Sequence, residues 1–412
     1  MTRPRATKSR REFLETVGAV GAGVLLTSTA ESARGFQAND TLEIGCIGTG
    51  GRCRHLMKSL AKIPNVRISA LADIFDYSRE EARKLADPRA TVDTDFRALL
   101  DRKDLDAVLI AAPDHWHVPM AVAACQAGKD VYVEKPLTHD PSEGPIIVAA
   151  QNDHKRIVQV GTQQRSMPHF IKGRELIKSG KIGRVLKVHM TWDRNTGGTI
   201  TKNIPGINPA QLDWKAFLGN APDQPFDAYR FANWRWFWDF GGGLLTDLMV
   251  HFLDVAHWVL DLDHPTRALT LGNHFAARGT WETPDTIQCL LSYPGDLQVY
   301  YEGTFSNARN GAMIEFMGTE GTLYFDRGAY LLYSEPDRKL REELVLGSNP
   351  LRGADFYDKP DGELLHLSNW IDCVRSRATP NAPTEGGVGA AAGAQLGNRS
   401  YRSGQVAEWP KA

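Results

Sequence analysis

Short apolar runs alternate with amphipathic stretches between Thr41 and about Gly161. Turn or charged residues bound five of these runs, which read LEIGCIG, VRISALAD, DAVLIAAP, DVYVEKP and IVQVG. Helix-like segments such as SREEARKLAD and PMAVAACQAG lie between them. Strands that alternate with helices over about 120 residues predict a doubly wound α/β domain, in which helices cover both faces of a parallel sheet.

The pattern changes after Gly161. A helix around FIKGRELIKSG ends at Gly180, the strand RVLKVHMTW follows, and an aromatic stretch rich in Gly and Pro occupies residues 195–243. The later runs RALTLGNHF, TIQCLLSY, LQVYYEGTF, AMIEFMG and GTLYFD are separated by short turns. Consecutive strands with short links predict a second α/β domain with a largely antiparallel sheet. We expect the last two helices, ELLHLSNWIDCVRSR and VGAAAGAQLGNRSYRSG, to pack back on the first domain.

The first 38 residues have the pattern of an export signal followed by a linker. Residues 9–14 read SRREFL, a twin-arginine pattern, and residues 16–30 are uncharged and mostly small or apolar. This run is shorter than the roughly 20 residues of a bilayer span, and it ends in the small residues Ser28-Thr29-Ala30. We therefore expect the twin-arginine machinery to export the protein to the periplasm. The alternative is a disordered basic arm on a cytosolic enzyme. The predicted domains are then residues 39–162 and 163–412.

Composition excludes some partners. The 412 residues carry a net charge of −1, and 42% of them are hydrophobic, as in an ordinary globular protein. Neither nucleic acid nor an anionic membrane surface is therefore expected as a partner. The five cysteines are scattered and form no CxxC pair. We interpret them as buried apolar residues, and we predict neither a disulfide framework nor a metal site.

A glycine loop, GTGGRC at residues 48–53, follows the first apolar run and precedes a helix. Glycines let the backbone turn tightly and approach a pyrophosphate, whose charge the N–H groups of a helix N-terminus can meet. About 20 residues further on, an acid ends the second run, where it would accept the ribose hydroxyls and repel a 2′-phosphate. This combination favours NAD over NADP, and a turn without a ligand is the alternative. The predicted contacts are Gly48, Thr49, Gly50, Gly51, Arg52 and Asp73.

Two further motifs follow strands. Pro113, His115 and His117 come after DAVLIAA, and strand ends form the binding crevice of open α/β sheets. The histidine spacing could suit a metal, but without a third ligand nearby a packing or cofactor-lining role is favoured. Glu134 and Lys135 end another strand, where a cis peptide before Pro136 would aim the lysine into the crevice. There Lys135 could stabilise charge on a substrate hydroxyl, and a surface ion pair is the alternative.

The segment GGGLLTDLMVHFLDVAHW predicts a helix with a reactive face. Asp247, His251 and Asp254 lie at i, i+4 and i+7 and would share one side of it. A histidine beside a carboxylate is a natural general base near neutral pH. A capping aspartate with a core histidine, or a metal bound by Asp247 and His251, are the alternatives.

Together these motifs resemble the glucose–fructose oxidoreductase/inositol dehydrogenase/MocA family, known as the Gfo/Idh/MocA family. The resemblance extends from about Thr41 to Trp409 and rests on GCIGTGG, APDHWH, GKDVYVEKPL, VQVGTQQRS, GGGLLTDLMVHFLD and GTEGTLYFD. It implies a Rossmann domain followed by an α/β domain whose open, mainly antiparallel sheet often forms the interface of a homo-oligomer. It also implies that Lys135, Asp247 and His251 form the active site, with His251 as the acid/base.

The resemblance implies an NAD-dependent oxidoreductase that takes a hydride from a secondary alcohol of a sugar, polyol or glycoside. The alternative is a glycoside-cleaving enzyme or lyase that oxidises its sugar transiently, with no net redox change. A non-catalytic sugar-binding protein is a third hypothesis. Two departures from the family pattern, Cys53 and Met249, put the identity of the substrate in doubt. Because the twin-arginine route carries folded proteins, we expect NAD to be tightly bound and exported with the chain.

The stretch NWRWFWDFGGG favours a carbohydrate. The aromatic faces of Trp234, Trp236 and Trp238 can stack on the C–H surfaces of a sugar, while Arg235 and Asp239 can bind its hydroxyls. The alternative is that the tryptophans, Trp236 among them, fill a domain or subunit interface. The candidate substrate contacts are Arg165, which follows GTQQ, and Trp234, Arg235, Trp238 and Asp239.

Overall fold

The computed structural model describes residues 41–195, 206–346 and 360–410, all of which belong to one compact unit, Ala38–Ala412. The predicted export segment at residues 1–38 lies outside these ranges. Within them, none of the helices combines the length and the apolar character that a membrane crossing requires.

The first domain is built on a six-stranded, wholly parallel sheet in the order β3-β2-β1-β4-β5-β6. Its strands are β1 (Leu42–Ile47), β2 (Val66–Ala72), β3 (Thr91–Asp93), β4 (Ala107–Ile110), β5 (Asp130–Val133) and β6 (Val158–Val160). Its helices are α1 (Gly51–Leu60), α2 (Asp76–Arg83), α3 (Phe96–Leu100), α4 (Asp114–Gln126) and α5 (Glu143–Asp153). The predicted Rossmann fold is confirmed. The strand order reverses between β1 and β4, which opens a crevice at the carboxyl ends of these strands.

Burial of whole strands explains why the apolar runs are so clear in the sequence. Every residue of β4, β5 and β6 is buried, since helices cover both faces of the sheet. The edge strand β3 was not predicted, because it has only three residues and all of them are at least partly exposed.

The second domain contains a nine-stranded sheet in the order β14-β13-β12-β11-β7-β10-β9-β8-β15. Its strands are β7 (Val185–Asp193), β8 (Arg267–Asn273), β9 (Thr286–Ser292), β10 (Gln298–Thr304), β11 (Ala312–Gly318), β12 (Gly321–Asp326), β13 (Ala329–Ser334), β14 (Leu340–Val345) and β15 (Ala407–Glu408). Among these strand pairs, β7 and β10 run parallel and the others antiparallel, so the predicted mainly antiparallel sheet is confirmed.

One face of this sheet carries most of the core of the second domain. Buried and exposed positions alternate along β8, β9 and β12, as expected for a sheet with one covered face. On the other face, Leu269, Leu271 and Leu290 are exposed. The remaining helices are α6 (Pro168–Lys178), α7 (Trp214–Leu218), α8 (Ala228–Ala232), α9 (Val250–Leu260), α10 (Gly362–Ser376) and α11 (Thr384–Ser403).

The C-terminal helix α10 contacts the first domain. The Gln159 side chain on β6 donates a hydrogen bond to the backbone oxygen of His366 on α10, at 2.8 Å. The rings of Tyr132 on β5 and Trp370 on α10 also meet, with centroids 5.7 Å apart. α10 therefore covers the end of the parallel sheet near its binding crevice.

A buried ion pair connects the junction after β6 to α9. The Arg165 Nε lies 2.7 Å from Asp254 Oδ2, and its second terminal nitrogen lies 2.8 Å from Oδ1. The two side chains are 6% and 1% exposed, so the charges have left water and stabilise each other through a bidentate contact.

We predict that Asp254→Ala lowers the free energy of unfolding by about 3–5 kcal/mol, because it leaves the Arg165 charge buried without its partner. Urea denaturation followed by circular dichroism measures this loss. Asp337→Ala removes the partner of Arg341 from an exposed ion pair and serves as the control, with little expected effect. Equal losses in the two variants would contradict the prediction.

Candidate active site

A cleft of about 430 Å³ lies at the carboxyl ends of β1, β2 and β4, over the glycine loop. Gly48 has a φ of +73°, and a Cβ at this position would lie 2.7 Å from the backbone nitrogen of Ala112. Glycine is therefore required by both the backbone conformation and the close approach to the segment after β4. Pro113 also lines this cleft.

The start of α1 has the shape of a phosphate cradle. A Cβ on Gly50 or Gly51 would meet nothing within 4 Å, so open space faces the first turn of the helix. Gly50 has no side chain to cap this turn, which leaves backbone N–H groups to bind an anion. Cys53 is fully buried behind the loop, where its small side chain permits close packing. The loop therefore fits the pyrophosphate of a dinucleotide.

Asp73 directly follows β2 and lies on the wall of the same cleft. Its carboxylate accepts hydrogen bonds from the backbone nitrogen of Phe75 at 2.9 Å and from the Thr49 hydroxyl at 3.3 Å. Burial raises the pKa of Asp73, and these hydrogen bonds oppose that rise. The two contacts orient the carboxylate at the position where a ribose of a dinucleotide would present its hydroxyls.

Arg52 connects this cleft to a second cavity, because it lines both. Its guanidinium binds Glu134 at 2.8 Å and Glu363 of α10 at 2.6 and 3.0 Å. Glu134, predicted as a cofactor contact, therefore lies beside the glycine loop. Glu363 was missed by sequence reasoning, because no local pattern relates a residue of α10 to a loop 311 positions earlier.

The second cavity has a volume of about 380 Å³ and is called the catalytic cavity. It lies where the carboxyl ends of β4 and β5 meet the second domain, and it adjoins the cofactor cleft because both share Arg52, Ala111, Ala112, Trp234 and Arg235. Its other lining residues are His117, Glu134, Lys135, Gln163, Gln164, Trp192, Arg194, Trp236, Asp247, Leu248, His251, Phe305, Arg327 and Glu363.

Lys135 and Asp247 form the central ion pair of the catalytic cavity. Lys135 Nζ donates to Asp247 Oδ1 at 2.8 Å and to its backbone oxygen at 2.7 Å, while Arg235 Nε donates to the same Oδ1 at 3.2 Å. Burial alone would raise the pKa of Asp247, but Lys135 and Arg235 outweigh it and hold this pKa well below its usual range. Lys135 keeps a third N–H for another acceptor. The peptide bond before Pro136 is cis, as the sequence suggested.

His251 lies beside this pair. Its ring packs against Trp192, with centroids 5.2 Å apart. Burial, and next the Lys135 charge, lower the pKa of His251 well below its usual value of 6.5, although Asp247 acts in the opposite direction. The imidazole is therefore neutral near pH 7 and can accept a proton.

The helix that carries these residues is not uniformly α-helical. A π-helical turn spans Leu245–Met249, directly before α9. π-turns often occur at functional sites, and this one changes the angular offset between Asp247 and the residues after it. Asp247 and His251 line the catalytic cavity, but Asp254 does not, because its carboxylate is held by Arg165. Met249 is fully buried in the core of the second domain and lies outside the cavity lining.

The structure separates His115 from His117. Both lie in the first turn of α4. The His117 nitrogens face the backbone oxygens of Pro136 and Ala112 at 2.7 and 2.8 Å, which fixes the ring at the edge of the catalytic cavity. His115 contacts the backbone oxygen of Phe217 at 2.8 Å and lines neither cavity. Within the described ranges, no group of three His, Cys, Asp or Glu side chains is arranged to hold a metal.

The structure also divides the predicted substrate contacts. Trp234, Arg235 and Trp236 line the catalytic cavity, and Trp236 stacks on Trp281 with centroids 4.3 Å apart. The three others lie elsewhere, each for a reason that sequence spacing does not reveal. Arg165 is held in the ion pair with Asp254, Trp238 lines a separate cavity beside α11, and Asp239 binds Arg230 and Gln224.

Several lining residues were not predicted. Trp192 and Arg194 stand at the end of β7, Phe305 follows β10, and Arg327 lies in the turn between β12 and β13. No local pattern in the sequence marks these four residues, because strands that are distant along the chain bring them together. A polar or aromatic residue at a strand end, as in TWDR, is a weak indication in the sequence that the residue lines a site.

Two family models match the chain. The model of an oxidoreductase family with an NAD-binding Rossmann fold matches residues 42–162, and the GFO/IDH/MocA C-terminal domain matches residues 170–324. Together they cover the parallel sheet, with its cofactor cleft, and most of the second domain.

Individual proteins are also similar. Inositol 2-dehydrogenase 2 of Saccharopolyspora erythraea is 32% identical over 373 residues, which are 89% of this chain and 95% of that protein. A glycosyl hydrolase family 109 protein of Solibacter usitatus is 35% identical over 150 residues, or 33% of this chain and 34% of that protein. The solved structure of levoglucosan dehydrogenase in complex with NADH and L-sorbose has a TM-score of 0.72 and 18% identity, and the match covers 90% of this chain and all of that one.

We predict that Asp73→Asn weakens the preference for NAD over NADP by about tenfold or more, because it removes the charge that repels a 2′-phosphate. Calorimetric titration of nucleotide-free protein with each dinucleotide measures this ratio. Asp104→Asn removes an exposed carboxylate that does not line the cleft, and it should leave the ratio unchanged. An unchanged preference in Asp73→Asn would contradict the assigned ribose position.

Proposed function

Because the chain belongs to the Gfo/Idh/MocA family of NAD-dependent oxidoreductases, we propose that it oxidises a secondary alcohol of a sugar, polyol or glycoside. The observation that carries this proposal is the placement of Lys135, Asp247 and His251 in a cavity that adjoins the cofactor cleft. A substrate hydroxyl in the catalytic cavity would therefore lie near both a base and a hydride acceptor.

The charges of the site suit removal of a hydroxyl proton. When bound, NAD supplies the acceptor for the hydride that leaves the alcohol carbon. His251 takes the hydroxyl proton, since its imidazole is neutral at physiological pH. The third N–H of Lys135 donates to the alcohol oxygen and stabilises the negative charge that develops there. Asp247 holds the Lys135 ammonium in position, and Arg235 in turn donates to the Asp247 carboxylate. The substrate loses one hydride and one proton, and its alcohol becomes a carbonyl.

The walls of the catalytic cavity support a carbohydrate or polyol as substrate. Trp234 and Trp236 provide aromatic surface, and Gln163, Gln164 and Arg235 provide hydrogen-bonding groups. Relatives named for inositol and levoglucosan point to the same class of compound.

A second candidate function is cleavage of a glycoside with no net redox change. The similarity to a glycosyl hydrolase family 109 protein favours it, although that match covers a third of this chain. Transient oxidation of a sugar hydroxyl would acidify a neighbouring C–H bond and ease elimination of the aglycone, and the same lysine and histidine would serve. A panel of aryl glycosides separates the two functions. Stoichiometric NADH without aglycone release supports the dehydrogenase, and aglycone release over many turnovers without net NADH supports cleavage.

We further propose that the protein is exported through the twin-arginine route and assembles through the open face of its nine-stranded sheet. The SRREFL motif and the apolar run after it support export. The exposed leucines of β8 and β9 support a homo-oligomer, since apolar side chains clustered on a sheet face favour burial against a second copy.

We predict that His251→Asn and Lys135→Met each lower kcat by about 10²–10⁴-fold, because each removes a group that handles the proton or the developing charge. NADH formation with a panel of hexoses, inositols and anhydrosugars measures the loss. His154→Asn replaces an exposed histidine at the end of α5 and should keep full activity.

Lys135→Gln tests the electrostatic part of this assignment. The Lys135 charge helps to lower the pKa of His251, so its removal raises that pKa. The base form of His251 exists above its pKa. The acid limb of the kcat/KM profile for oxidation should therefore lie below pH 6.5 in the parent protein and move to higher pH in the variant. A limb that does not move would argue against His251 as the base.

Export implies a retained cofactor, because free NAD is scarce outside the cytoplasm. Retention requires a dissociation constant of about nanomolar or below, roughly 12 kcal/mol of binding free energy. We predict that protein purified without added nucleotide releases NAD or NADH in near-stoichiometric amount on denaturation, as measured by chromatography. Protein that releases none would contradict cofactor retention while leaving the active-site assignment intact.

A further inference from the structure

A segment of the second domain, residues 206–240, lies over the cofactor cleft, and we call it the cofactor strap. It contains α7 and α8, and it supplies Ile207, Phe217 and Phe231 to the lining of the cleft. The opposite wall, with the glycine loop and Asp73, belongs to the first domain. The cleft is therefore enclosed between the two domains.

The cofactor strap is attached to the segment that follows β2. Leu212 forms an isolated antiparallel bridge with Phe75, and the backbone nitrogen of Asp213 donates to the backbone oxygen of Ile74 at 3.1 Å. The ring of Phe231 on α8 meets the Phe75 ring edge to face, with centroids 5.4 Å apart. Backbone and side-chain contacts thus hold the strap to one side of the cleft.

The cofactor strap is also attached to the first turn of α4. The backbone oxygen of Phe217 on α7 accepts a hydrogen bond from Trp116 Nε1 at 2.9 Å and lies 2.8 Å from His115 Nε2. Gly219, directly after α7, approaches the Trp116 ring so closely that a Cβ there would lie 2.5 Å from its Cζ2. This second attachment combines a hydrogen bond with close packing.

The two attachments lie on opposite sides of the glycine loop. β1 leads into this loop and stands between β2 and β4 in the sheet, while the attachments follow β2 and β4. The strap therefore crosses over the carboxyl end of β1, which is the binding crevice of the fold. The adenine ring of a dinucleotide is joined to the ribose that Asp73 is assigned to bind, so it would lie between the first domain and the strap.

We propose that the cofactor strap closes over bound NAD, with Phe217 and Phe231 covering its adenosine half, and that detachment of the strap from the first domain limits NAD release. This inference rests on the proposed NAD-dependent oxidation, and it accounts for the proposed retention of the cofactor. Aromatic side chains pack on the flat face of adenine and exclude water from it. Several contacts must break together before the dinucleotide can leave, as in other enzymes whose ligand is enclosed by a lid.

Exchange of bound NAD measures release directly. Protein loaded with NAD is mixed with an excess of isotope-labelled NAD, and mass spectrometry of the bound nucleotide follows the exchange. Phe231→Ala should accelerate exchange by about tenfold or more, because it removes the ring contact with Phe75 and part of the cover. Trp116→Phe keeps an aromatic ring but removes the hydrogen bond to Phe217, and it should accelerate exchange by about two- to tenfold.

Phe226→Ala is the matched control for these variants. Phe226 belongs to the cofactor strap, but its ring packs against Trp214 of the same strap, and it lies outside the described lining of the cleft. The same truncation there should leave the rate of NAD exchange nearly unchanged. The control separates loss of the attachments from general loosening of the strap.

A reversible cross-link tests detachment of the strap itself. Bridge partners on antiparallel segments have the Cα separation that a disulfide requires, so the double variant Phe75→Cys/Leu212→Cys can lock one side of the strap. When it is loaded with NAD and then oxidised, this protein should exchange NAD about tenfold or more slowly than after reduction with dithiothreitol. The five native cysteines are buried, and the parent protein should exchange equally fast under both conditions.

The outcomes separate the strap from the proposed oxidation. Exchange in Phe231→Ala and Trp116→Phe that is no faster than in Phe226→Ala, or equal exchange in the oxidised and reduced double variant, would overturn the strap and leave the oxidoreductase intact. Slow exchange that depends on the attachments, in a protein that reduces NAD with none of the sugars, would support the strap and count against the proposed oxidation.

Discussion

The site depends on the contact between the Lys135 ammonium and Asp247, which accepts hydrogen bonds through its carboxylate and through its backbone oxygen. It joins the end of β5, in the parallel sheet, to a π-turn in the second domain. Because the ammonium binds a side-chain and a backbone oxygen of the same residue, it fixes both the distance of the π-turn from β5 and the rotation of that turn. The largely buried carboxylate of Asp247 stays ionised because Lys135 and Arg235 stand beside it. His251, the cofactor cleft and the aromatic wall take their positions around this pair.

Two further arginines form ion pairs of similar design. Arg52 lies between Glu134 and Glu363, and Arg165 binds Asp254 in a bidentate contact. Each guanidinium joins segments that are far apart along the chain, and each is at least partly removed from water. Such contacts add little net stability compared with apolar packing, but they have strict geometric requirements. They are suited to holding two domains in one relative position.

The sequence predicted the individual helices and strands better than the way in which they pack together. The buried strands β4, β5 and β6 were clear because burial on both faces gives a continuous apolar run, whereas the three-residue edge strand β3 gave no such run. Gly48 and Asp73 were predictable because a phosphate loop and a ribose-binding acid have local spacing rules. Arg165, Trp238 and Asp239 were assigned to the substrate from their neighbours in sequence, yet each is turned to a different partner. Glu363 and Arg327 had no local signal, since tertiary packing alone brings them to the site.

The bond between Arg52 and Glu363 has a consequence for the order of events in synthesis. The glycine loop lies near the start of the described chain, but the carboxylate that fixes its arginine is 311 residues further on. During translation, the loop and most of the parallel sheet leave the ribosome well before α10 does. The full set of contacts around Arg52 therefore forms only after α10 has left the ribosome. A nascent chain that ends before α10 holds this arginine through Glu134 alone.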